Sequence, residues 1–183
     1  MKKKIIIFKN DAVGDLVQSL DAINNIINHY GNNQILIYLS ERSKNFNFLF
    51  NFNNVKVNIL NYDLTILEKI KLLCSLLKDN IETVYILTPK KFYYYLPPIF
   101  KKIKFYALCI NSKNNYKRPS NFLRKYLYKF VINERDKDFK RKSTMQLQRE
   151  LTNDLAFSKK YKIFNIPSFE CKNLPDLKNY IYF

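Results

Sequence analysis

A chain of 183 residues with 47% hydrophobic and 16% aromatic content can bury one core of ordinary size, which excludes a disordered tail. Its 32 Lys and Arg against 15 Asp and Glu leave a net charge of +17, so nucleic acid and anionic membranes are the partner classes to weigh, although a bias toward Lys, Asn, Ile, Phe and Tyr supplies part of that charge. Three widely spaced cysteines (Cys74, Cys109, Cys171) and one histidine, His29, exclude a disulfide framework and a Cys/His zinc site, and leave no basis for a His-based triad.

The opening MKKKIIIFKND has the basic start of a signal peptide, but its apolar run is shorter than the roughly 7 to 15 residues required. No later run reaches the ~18 apolar residues of a membrane span, so a cytoplasmic location is expected. Residues 4–8 read as a buried strand. A helix is expected over 15–30, because Leu16, Leu20, Ile23, Ile27 and Tyr30 recur at three- and four-residue steps. Gly31 is its expected C-cap, and Asp15 with Gln18 three residues on has the form of a capping box. The alternation continues with strand 34–39, helix 41–50, strand 55–60, helix 63–78 and strand 83–87. A helix near 90–101, broken by Pro97 and Pro98, and strand 104–110 follow. Continuous apolar strands each followed by a helix imply a parallel sheet covered on both faces, a Rossmann-like doubly wound α/β domain. Residues 111–142 read as a loop holding an amphipathic helix at 121–132, and 143–157 as a last helix. The domain is expected over 1–160, with 161–183, holding Pro167 and Pro175, as an extended tail or linker.

Average usage would supply roughly a dozen glycines, yet the chain has two, Gly14 and Gly31. A strand, a turn with Gly14 and a helix start place residues 10–15 at the carboxyl edge of the sheet, where α/β folds bind ligands. The loop has neither GxGxxG nor GxxxxGK[ST], so no dinucleotide fingerprint or P-loop is supported. It carries Asp11 and Asp15 instead. A carboxylate held at helix amides is a candidate general base as well as an ordinary helix cap.

The stretch KKIIIFKNDAVGDLVQSLDAINNI resembles the N-terminus of family 9 glycosyltransferases, the ADP-heptose:lipopolysaccharide heptosyltransferases and their relatives. Their pattern is a hydrophobic strand, a polar turn, Gly-Asp, apolar residues and a Ser/Thr-Leu-Pro-Ala-Leu-like helix entry. Here that reads Ile5 to Phe8, Asn10 to Val13, Gly14-Asp15, Leu16-Val17 and Ser19 to Ile23, departing at Asp21, where the family commonly has proline. The resemblance implies the N-terminal, acceptor-holding half of a GT-B fold, with Asp15 as the catalytic base; Asn10, Asp11 and Gly14 of the same turn are the candidate substrate contacts, and Lys9, Asn10 and Asp11 either touch ligand or only shape the turn. It implies inverting transfer from a nucleotide-sugar donor to a glycolipid or glycan acceptor, without a cofactor or a metal held by a DxD motif. The DKD at 136–138 matches those letters but lies in a charged loop and reads as solvated charge. The donor-binding motifs of such enzymes lie in a second domain, so acceptor binding without transfer is expected of this chain alone.

Residues 101–142 hold fourteen Lys and Arg and three acids, a net of +11. Aromatic residues interleave them, and Lys117, Arg118, Arg124, Lys125 and Lys129 are the candidate contacts to an acceptor or an anionic inner-membrane surface. The different-class alternative is a non-catalytic basic α/β module on a membrane or a nucleic acid. No RNP, KH or zinc-finger signature supports nucleic acid, which rests on charge alone.

Overall fold

A computed structural model describes residues 3–111, 119–134 and 142–155. Among them a six-stranded, all-parallel sheet runs in the order β3-β2-β1-β4-β5-β6. Its strands are β1 (Lys4–Lys9), β2 (Gln34–Ser40), β3 (Val55–Leu60), β4 (Ile81–Ile86), β5 (Lys104–Asn111) and β6 (Lys129–Glu134). This is the doubly wound order, and it reverses between β1 and β4, which opens a crevice at their carboxyl ends. The α/β expectation is met.

Period-two alternation in β1 divides the core. Ile5 and Ile7 pack under α1 (Val13–His29) and α5 (Thr144–Leu151), together with Leu16, Ile23, Ile27 and Leu151. Ile6 and Phe8 face the opposite layer, made of α2 (Ile66–Lys78), the 3₁₀ turn Lys91–Tyr95, α3 (Leu96–Ile99) and α4 (Asn121–Arg124). Leu72, Leu76, Tyr94, Leu96 and Leu123 fill that layer. Thr65 and Glu68 close a reciprocal capping box on α2, and Ser143 and Gln146 do the same on α5.

Several local expectations change. The helix after β1 starts two residues early: Ala12 is its N-cap, in extended conformation and without a side-chain cap bond. Asp15 is therefore the third residue of α1, and no capping box forms with Gln18. At the other end Tyr30 closes the helix, its N–H donating to the Ile26 carbonyl at 3.0 Å. Gly31 is not left-handed and supplies no C-cap of that kind. The segment expected as helix 41–50 is a 3₁₀ turn over Lys44–Phe50, and Pro97 and Pro98 fall in the first turn of α3, where a missing N–H costs nothing.

The largest correction is at 121–132. Leu123, Tyr126, Leu127 and Phe130 have helical spacing, but the helix stops at Arg124, and Tyr128 N donates to Phe105 O at 2.8 Å. From Lys129 the chain is the sheet's sixth strand, paired along β5. A ladder of backbone bonds outweighs local periodicity there. The last helix ends at Leu151, short of the expected 157. Cys171, the DKD at 136–138 and the tail 161–183 lie outside the described residues.

Candidate functional site

The turn that follows β1 descends from a buried lysine. Lys9 is the last residue of that strand, 1% exposed, and its Nζ donates to Asp11 Oδ2 at 2.7 Å. Burial outweighs the partner's attraction at both ends: it lowers the Lys9 ammonium pKa and raises that of the Asp11 carboxyl. Ser40 at the end of β2 donates its hydroxyl to the Asp11 carbonyl at 2.6 Å, which pins the turn to the neighbouring strand. The negative charge of Asp15 acts on the same pair, favouring charged Lys9 and disfavouring charged Asp11.

Around this turn lies a cleft of about 80 Å³, lined by Lys9, Asp11 and Asp15 from the β1 side and by Thr88 and Lys90 beyond β4. Asn133 of β6 and Thr144 at the start of α5 complete its far wall. Three buried oxygens there complete no hydrogen bond of ordinary geometry: Asp11 Oδ1, Thr88 Oγ1 and Asn133 Oδ1. The Thr88 hydroxyl does lie near enough to the Asp11 carboxylate to favour its charged form. Asp11, Thr88 and Asn133 all line the cleft, but these three oxygens are themselves shut off from its surface, so they mark a tightly closed polar wall. A second pocket of about 380 Å³ adjoins it through Tyr62 and Lys90 and adds Lys69, Lys91 and Phe92. The Tyr62 ring carries the Arg42 guanidinium 3.9 Å from its centroid and Lys90 Nζ at 4.1 Å. Lys90 Nζ also donates to the Tyr62 carbonyl.

Of the residues singled out in the sequence, Asp11 and Asp15 meet in the cleft, one buried and one exposed. Asn10 is turned away. It is fully buried, its Oδ1 accepting from Tyr93 OH at 2.7 Å and its Nδ2 donating to Asn61 O at 3.4 Å. Of the five basic candidates, Arg124, Lys125 and Lys129 are among the described residues. Lys125 is exposed, whereas Lys129 Nζ donates to Asp154 Oδ2 at 2.8 Å and Asn153 Oδ1 at 2.6 Å. Arg124 is half-buried, its Nε donating to Pro119 O at 3.3 Å, with the guanidinium 5.7 Å from the Phe130 ring. Lys117 and Arg118 lie outside the described residues. Thr88 and Lys90 were findable, because they follow an apolar strand at its carboxyl end. Asn133 and Thr144 carried no signal once β6 was read as helix.

Gly14 is exposed, is not left-handed, and a Cβ built on it would meet nothing within 4 Å. Among the described residues nothing requires glycine there. Gly14→Ala is expected to raise stability by a few tenths to about 1 kcal/mol in a urea titration. Gly14 is not among the residues that line the cleft, so ligand binding by the same variant tests its expected substrate contact. Unchanged binding would leave Gly14 without a role in the site.

No family model and no curated protein sequence matches the chain, but solved structures share its fold. A glycosyl transferase family 9 protein from Veillonella parvula DSM 2008 is 13% identical, with a TM-score of 0.56 over 86% of this chain and 42% of that one. The E. coli heptosyltransferase WaaC with ADP is also 13% identical (TM-score 0.51, 87% of this chain, 51% of that one). The same enzyme with ADP-2-deoxy-2-fluoro heptose gives 12% identity and a TM-score of 0.56 over 86% of this chain and 50% of that one. The chain therefore spans about half the length of the structures it matches.

Proposed function

We propose that this chain is the acceptor-binding half of an inverting GT-B glycosyltransferase of the heptosyltransferase type, with Asp15 as general base. The observation that carries this reading is the exposed Asp15 carboxylate in the first turn of α1, at the crevice where the strand order reverses, beside the buried Lys9–Asp11 pair. One of the fold neighbours, the E. coli heptosyltransferase WaaC, is described with ADP and with ADP-2-deoxy-2-fluoro heptose, which makes a nucleoside diphosphate heptose the first donor to try. The cleft beside Asp15 holds about 80 Å³ and the adjoining pocket about 380 Å³, room for one sugar ligand, so in this reading the donor needs a second wall. A donor-binding domain would supply it.

In this mechanism Asp15 accepts the proton of an acceptor hydroxyl. That oxygen forms a bond to the anomeric carbon as the bond from that carbon to the donor's phosphate oxygen breaks. The nucleoside diphosphate leaves from the opposite face with the electron pair, and configuration inverts. In this reading the other polar residues that line the cleft, Asp11, Thr88, Lys90 and Asn133, shape the place where the acceptor sugar sits. The cations beside the cleft, Arg42, Lys69, Lys90 and Lys91, suit an acceptor that carries phosphate or carboxylate, as a lipopolysaccharide core does. This reading puts the protein at the cytoplasmic face of the inner membrane. The basic residues among 119–134 do not gather on one groove, so no specific observation favours nucleic acid.

The test joins the chain to the donor-binding domain of a family 9 enzyme and supplies ADP-heptose with a lipid A–Kdo acceptor. Expected are release of ADP, a product heavier by one heptose, and binding of the acceptor by the chain alone. Neither binding nor transfer, with the fold intact, would reduce the cleft to architecture.

A further inference from the structure

Helix α2 is apolar on two sides. Leu72 and Leu76 bury one of them against the sheet. The other faces solvent, with Ile66 75%, Leu67 70%, Ile70 51% and Leu77 69% exposed. At 3.6 residues per turn these four, with exposed Cys74 among them, fall within an arc of about 100°, and exposed Lys71 and Lys78 lie along one edge of it. The same helical layer continues the pattern. Ile99 on α3 and Phe122 on α4 are each more than half exposed, within three residues of the exposed Lys101, Lys102 and Lys125. Scattered exposed apolar residues need no explanation, but a stripe repeated along one helix and carried by two further elements of the same layer does.

We propose that this helical layer is a docking surface for an anionic lipid bilayer. Apolar side chains edged by lysines match an interface in which acyl chains lie beneath phosphate headgroups: the apolar arc enters to the level of the headgroup boundary while the ammonium groups stay among the phosphates. A second copy of the chain is a poor occupant, because pairing would bring these lysine edges together in a protein of net charge +17. Among the described residues no helix is long and apolar enough to cross a membrane, so contact through this face is with the surface. The inference rests on the exposed layer and not on the reaction proposed for the cleft.

The chain has no tryptophan, so Leu77→Trp introduces a single tryptophan reporter on the exposed face of α2, and Gln18→Trp on α1 a control in the opposite layer. With phosphatidylglycerol/phosphatidylcholine vesicles, the Leu77→Trp emission should shift to the blue, weaken with added salt, and be quenched by brominated acyl chains. The Gln18→Trp emission should not move. In co-sedimentation the triple variant Leu67→Gln/Ile70→Gln/Leu77→Gln should lose on the order of tenfold or more in partition to the same vesicles. Its thermal melt should match wild type, since all three residues are exposed. Wild-type partition of a folded triple variant would overturn the proposal. So would a silent Leu77→Trp reporter, or a concentration-dependent blue shift without lipid, which would assign the face to self-association.

Discussion

Sugar transfer by the chain joined to a donor-binding domain is expected to fall about 10²- to 10⁴-fold when Asp15 is replaced by alanine, with acceptor affinity little changed. A general base acts on the barrier more than on the bound state, so the loss should appear in kcat and not in KM. The architecture makes this a clean measurement. Ala12 is the N-cap of α1, so removing the Asp15 side chain strips no cap. What is lost is the attraction between a first-turn carboxylate and the helix dipole, about 0.3–1 kcal/mol at an exposed position. A stability loss well above that, with transfer retained, would show that Asp15 supports the fold and that some other group takes the proton.

The buried pair gives the second large effect, on stability. Lys9→Met leaves the largely buried Asp11 carboxylate without its cation, and should cost roughly 3–5 kcal/mol in urea denaturation. Asp11→Leu alone should cost a similar amount, because it strands the Lys9 ammonium. The double variant Lys9→Met/Asp11→Leu should recover most of that loss, since burial works against the charged form of both partners. Additive single effects would show that the two charges do not depend on each other. The stabilised double variant should still transfer poorly, because two polar walls of the cleft have become apolar.

Much of the fold was legible in the chain. Ile5 to Phe8, Ile35 to Leu39 and Phe105 to Ile110 are continuous apolar runs, and central strands of a parallel sheet need such runs because both faces are covered. The α1 stripe of Leu16, Leu20, Ile23, Ile27 and Tyr30 packs against the sheet as its spacing requires. The misreadings share one cause. Leu123, Tyr126, Leu127 and Phe130 satisfy a helical period, but the bond from Tyr128 N to Phe105 O and the ladder from Lys129 to Glu134 depend on β5, a partner about 23 residues upstream that no local window contains. Gly31 and Asp15 looked like helix ends because their residue types favour caps, while the backbone closed the helix at Tyr30 and opened it at Ala12.

The site divides in the same way. The sequence by itself determined that a polar turn with two carboxylates would stand at the carboxyl end of the first strand, because apolar runs and helix periodicity are properties of neighbouring residues. Only the tertiary structure decided what that turn faces. It buried Asn10 against Tyr93, 83 residues away, and enclosed Lys9 with Asp11. It also brought Thr88, Asn133 and Thr144 from three distant segments to one cleft. Those meetings follow from strand order and burial, which arise when the whole sheet assembles and are written in no single stretch of the chain.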